Sequence, residues 1–217
     1  MTNTRRQTGL VVSLVLLGSM LVLAAVAPWS FRIYLGRPEY YREAKLIHVL
    51  CVTVLFSNAL IGTLWETRAL LSRKAELVRH TYETVVWLDS ILTAPLVVGA
   101  VISGIALASM QGGIWITPWL TIGFLIFVGV GLLWVVADIP SQYRIKAGFR
   151  ALSKGAERLP REMERLLYRR VVINIAGTVP LLIVFGLMVL KPDFPAVKEW
   201  LERSPAAALQ RQFLQER

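Results

Sequence analysis

An all-α, polytopic membrane helix bundle is the fold class this chain predicts, and three observations predict it. Five apolar runs recur along 217 residues, 55% of the residues are hydrophobic, and 18% carry charge, against about 25% in soluble domains. A hydrocarbon core about 30 Å thick takes roughly 20 helical residues to cross, and backbone groups inside it must bond one another. Each run is therefore expected as a transmembrane helix, at 10–27, 46–65, 85–110, 114–137 and 171–190. The first is a leading anchor and the other four form the core. Residues 1–191 make the bundle, with a basic interfacial segment at 141–167, and 192–217 form an amphipathic tail.

The first run imitates a signal peptide, because Arg5 and Arg6 precede it and Ala25-Val26-Ala27 closes it. Pro28 in the next position opposes cleavage, so a retained helix is expected. Trp29, Phe31 and Tyr34 then suit an interfacial aromatic belt.

In the second run His48, Cys51, Asn58, Gly62 and Glu66 fall on one stripe, which is expected to face inward because polar and small residues pack helices in lipid. The third run carries Asp89 near its start, Pro95, and the small pairs Gly99 with Ser103 and Gly104 with Ala108. The fourth, 114–137, has no charged side chain at all. Beyond it Ile145, Phe149, Leu152, Ala156 and Leu159 recur at helical spacing among basic residues. That pattern predicts an interfacial helix with its apolar stripe in the acyl boundary, its cations on anionic lipids, and a break at Pro160. The fifth run offers Asn174 and Gly177 for packing and Pro180 for a kink.

Lysine and arginine set the orientation. With the amino terminus inside, fifteen basic residues lie on the cytoplasmic side and nine outside. The loop at 111–117 has no basic residue, whereas nine lie between Arg144 and Arg170. A multi-pass protein of the inner (plasma) membrane is expected, its carboxyl terminus outside. The net charge of +10 then belongs to loops that meet lipid head groups, and no nucleic-acid partner is implied. A single cysteine, Cys51, allows neither an internal disulfide nor a cysteine metal cluster.

Ionisable residues inside a membrane are costly and point to function. His48 lies about 5 Å below Lys45 by helical rise and is a candidate axial ligand for haem, most simply haem b, with Arg42 and Lys45 on the propionate side. The alternative for His48 is a helix-to-helix hydrogen bond. Asp89 lies near the opposite end of its span and is not expected to meet His48. It is expected to pair with Arg68, the alternative being an ion access route. Asn58 joins Asp89 and Arg68 as a structural polar residue.

The runs Lys45-Leu46-Ile47-His48-Val49-Leu50, Trp65-Glu66, Val86-Trp87-Leu88-Asp89 with Thr93-Ala94-Pro95, and Ser103-Gly104 resemble the integral-membrane family of domain of unknown function 2269. Ile139-Pro140 and the basic residues after it resemble that family's exit from its last core helix, so the likeness extends over about residues 42–146. More distantly the chain is similar to the haem-binding bacterial protoporphyrinogen oxidase family and to CopD-type membrane proteins. That resemblance implies haem at His48 and carries over no other ligand, since the fourth run lacks the lysine or histidine of the oxidase pattern. No complete catalytic constellation appears, so enzymatic activity is not expected. Three function classes follow: a haem-associated or redox-accessory protein using His48, a non-enzymatic accessory or assembly subunit with a membrane protein partner, and a small-solute or ion transporter. The last finds no inverted repeat in its support.

Overall fold

A computed structural model describes residues 18–23, 36–152, 156–205, 208 and 211–212. Among them four helices are long and apolar enough to cross a membrane: α1 Pro38–Leu71, α2 Ala75–Met110, α3 Pro118–Ala151 and α4 Arg161–Leu190. A short α5 spans Pro195–Arg203. The chain is thus all-helical with the four core spans expected. Of the anchor at 10–27 only the helical piece 18–23 is described, and the rest of that expectation lies outside the described residues. Each helix extends past its apolar run at one end at least, although α3 begins only at Pro118, because hydropathy marks what suits lipid and not where backbone hydrogen bonding stops.

The helix ends follow local chemistry. Between α1 and α2 only Ser72-Arg73-Lys74 intervene, with Arg73 in the left-handed region at φ 56° and the Ser72 hydroxyl donating to the Ala69 carbonyl at 2.6 Å. Past α2, Gly112 and Gly113 take φ of 90° and 113°, and Gly113 N–H reaches back to Ala108 O at 2.8 Å. That bond caps the last turn with residues that tolerate positive φ. α3 starts at Pro118, where a missing N–H costs no helical bond. Thr121 Oγ1 donates to Ile114 O at 2.6 Å and holds the preceding turn. Pro160 stands directly before α4, as expected of a restart, and its carbonyl accepts from Glu164 N–H.

The chain divides into two compact units. One comprises Met1–Val52, Val97–Ile122 and Lys191–Arg217; the other comprises Thr53–Leu96 and Gly123–Leu190. In the first, α1 and α2 meet closely: a Cβ on Gly99 would lie 2.8 Å from Cys51 Sγ, so the missing side chain makes the approach possible. α5 contributes the buried Leu201 and leaves Trp200 exposed.

The second unit holds a hydrophobic core of Ala69, Ala75, Val78, Tyr82, Ile145, Phe149, Leu159, Met163 and Leu167. This corrects the expectation for 141–167. The segment is not one interfacial helix: its first part is the end of α3, and Arg161 onward belongs to α4. Its stripe is covered by protein, with Ile145 at 0% and Phe149 at 4% exposure, and the Phe149 and Tyr82 rings pack 5.5 Å apart. An apolar stripe at helical spacing says that something must cover that face; it cannot say whether lipid or another helix does. Arg144, Lys146, Arg150 and Arg158 remain exposed. At Gly148 even a methyl group would collide with the Met163 thioether.

Candidate functional site: one buried guanidinium among three carboxylates

Within the second unit Arg170 of α4 is 1% exposed, and its partners come from the other three helices. Nε donates to Glu66 Oε1 of α1 at 3.0 Å, Nη1 donates to Asp138 Oδ1 of α3 at 3.1 Å, and Nη2 lies 3.7 Å from Asp89 Oδ2 of α2. The Tyr82 ring lies under the guanidinium, 5.2 Å from its carbon, an attraction that strengthens away from water. Neutral donors complete the shell. Asn174 Nδ2 donates to Glu66 Oε2 at 2.9 Å and Gln142 Nε2 to Asp138 Oδ2 at 2.7 Å. Asn58 Nδ2 and Thr93 Oγ1 both donate to Asp89 Oδ1, at 3.3 and 3.1 Å. Burying ions is expensive unless paired and hydrogen-bonded, and a planar guanidinium can serve several carboxylates at once.

Local backbone geometry aims two of the acids. Asp89–Thr93 and Trp134–Asp138 are π-helical turns. In each a backbone N–H reaches five residues back, Ala94 to Asp89 and Ile139 to Trp134, and a proline follows at once, Pro95 or Pro140. A proline ring inside a helix crowds the carbonyl four residues earlier and supplies no N–H to it. A wider turn relieves that conflict, and such turns recur at functional sites. Asp89 opens one of them and Asp138 closes the other, so the two turns place carboxylates.

His48 belongs to the first unit. Its Nδ1 lies 3.0 Å from Ala100 O and 3.2 Å from Ser103 Oγ, and its Cε1 rests where a Cβ on Gly104 would be 3.0 Å away. The imidazole is half-buried against α2, as the inward stripe predicts. Because a carbonyl only accepts, its partner Nδ1 carries the proton, and in the neutral imidazole Nε2 keeps its lone pair. Ser103 turns its own hydroxyl to Gly99 O. Arg42 and Lys45 are exposed, and Lys45 Nζ stands 5.9 Å above the Tyr41 ring.

Asp89 faces Arg170 and not Arg68, which is exposed on α1. Asn58 bonds Asp89 as a structural polar residue should. Spacing within one helix shows the stripe that includes Glu66, but the pairing of Glu66 with Arg170 bridges 104 residues. Arg170 reads in sequence as the last of a basic run, although Val171 beside it opens the apolar stretch; Asp138 likewise directly follows Ala137. A charge on the first residue beside a span is the signal the sequence offers.

A model of the family described as predicted integral membrane protein (DUF2269) matches residues 43–192. The chain belongs to this family. The match includes His48 and every side chain of the Arg170 centre, and it extends past the resemblance seen in the motifs to the end of α4. No curated protein and no solved structure matches the chain.

Proposed function

We propose that this family member is a haem-associated or redox-accessory protein of the inner membrane, with His48 as the axial ligand of a haem b. The observation that carries the reading is the 3.0 Å hydrogen bond from His48 Nδ1 to Ala100 O. It sets the ring orientation and tautomer, leaving Nε2 as an available lone pair; iron-binding imidazoles are commonly held through the other nitrogen in this way. The residues fit a single axial bond, since Nε2 makes no hydrogen bond among the described residues. Bound haem would supply one-electron or diatomic-ligand chemistry. The chain's own part is to hold the imidazole with Ala100, admit it beside Gly104, and present the exposed Arg42 and Lys45 to propionates.

The test is an absorption spectrum of protein purified from haem-replete cells. A Soret band that disappears in His48→Ala is expected. A colourless wild type, with His48→Ala equally stable, would sink the reading.

A non-enzymatic accessory role is the second reading, favoured by the bonds of Asn58 and Arg170 to side chains on other helices. Such bonds serve helix association in lipid. Under it His48→Ala lowers stability with no spectrum to lose. The exposed Arg144, Lys146, Arg150 and Arg158 are suited to anionic lipid head groups at the membrane surface.

A further inference from the structure

The three carboxylates of the Arg170 centre have six oxygens, and their donors are unevenly shared. Both oxygens of Glu66 and both of Asp138 accept a hydrogen bond, each pair divided between the guanidinium and a side-chain amide. Asp89 differs. Its Oδ1 takes both Asn58 and Thr93, whereas among the described residues Oδ2 only faces Arg170 Nη2 at 3.7 Å, beyond hydrogen-bonding distance. The Asp89 side chain is also 25% exposed, against 7% for Glu66 and 3% for Asp138. One guanidinium faces three carboxylates, so the centre has an excess of negative charge, and one of its oxygens stands open.

Two further features lie outside this bonding pattern. Ser141 Oγ is buried without a hydrogen-bond partner among the described residues, in a residue 8% exposed, and shares the buried face of α3 with Asp138 and Ile145. A cavity of about 10 Å³ is lined by Glu66 and Tyr82 among apolar side chains. The groups around Asp89 are Glu66 and Asn58 on α1, Tyr82 and Thr93 on its own helix, Asp138 on α3 and Arg170 on α4.

We propose that the centre is a proton-exchange site, with Asp89 Oδ2 as the atom that takes up and releases the proton. In uptake an O–H bond forms at Oδ2 as one breaks in a hydronium, leaving water; release is the reverse, and no electrons are transferred. Glu66 and Asp138 stay in place as acceptors, because each of their oxygens already accepts a donor. The Arg170 to Asp89 contact is the adjustable one: a charged Asp89 draws Nη2 inward, and a protonated one lets it relax.

Infrared difference spectra between acidic and alkaline pH, on the full chain in lipid, test this through the carbonyl stretch of a protonated carboxyl group. The wild type is expected to show a pH-dependent band that Asp89→Asn loses, while the amide bands of the variant remain helical. If Asp89→Asn does not accumulate, Asp89→Glu is measured instead; the longer side chain moves the open oxygen relative to Arg170, so the band should persist with a shifted midpoint. A wild type without such a band, a band unchanged in Asp89→Asn, or an unmoved midpoint in Asp89→Glu overturns the proposal.

Discussion

Arg170 and Glu66 stand 104 residues apart in the chain and meet at 3.0 Å with side chains 2% and 7% exposed. Such a pair contributes little on balance over a well-packed apolar replacement of both partners, yet removing one partner leaves a buried charge uncompensated. Here three carboxylates depend on the same cation. Arg170→Met is therefore expected to lower stability by about 3–5 kcal/mol, read by thermal or denaturant unfolding in detergent. Its exposed neighbour, in Arg169→Met, should stay within about 0.5 kcal/mol. Equal losses in the two variants would mean that the network does not hold the helices.

Among the described glycines of the second unit, Gly148 has the closest neighbouring side chain, that of Met163. Gly148→Ala forces the thioether aside or α3 and α4 apart, and overpacking of this kind costs about 1–3 kcal/mol. Met163→Ala alone leaves a void and costs about 2–5 kcal/mol. Combined, the new methyl group occupies part of that void, so the double variant should be more stable than the sum of the single losses implies. Strict additivity in a double-mutant cycle would show that the two positions do not compete for space.

The distribution of lysine and arginine predicts a topology that thiol labelling checks. With Cys51 replaced by alanine, Gln111→Cys should react with a membrane-impermeant thiol reagent in intact cells, and Arg150→Cys only after permeabilisation. The reverse pattern would place the carboxyl terminus inside and overturn the positive-inside assignment.

Helix existence, and sidedness within each helix, are legible in the amino-acid sequence. The stripe from His48 to Glu66 needs only the 3.6-residue period, and the half-buried His48 and Asn58 and the buried Gly62 and Glu66 follow it. Asp89 is recognisable as an ionisable residue in an apolar run, but its partner is not. Arg68 is the basic residue that helical register on the neighbouring span offers and Arg170 the near one in space, and no local pattern carries that difference.

Composition and periodicity by themselves determined that this chain forms membrane helices and which faces seek cover, because lipid imposes length and backbone satisfaction on each segment independently. Tertiary structure alone decided what provides the cover. It turned the Ile145 and Phe149 stripe from a lipid surface into core, converted two proline positions into π turns that deliver Asp89 and Asp138, and gathered carboxylates from three helices around the guanidinium of the fourth. The physical reason is that a buried charge accepts whichever partner satisfies its hydrogen bonds, and in this chain those partners come from helices distant in sequence.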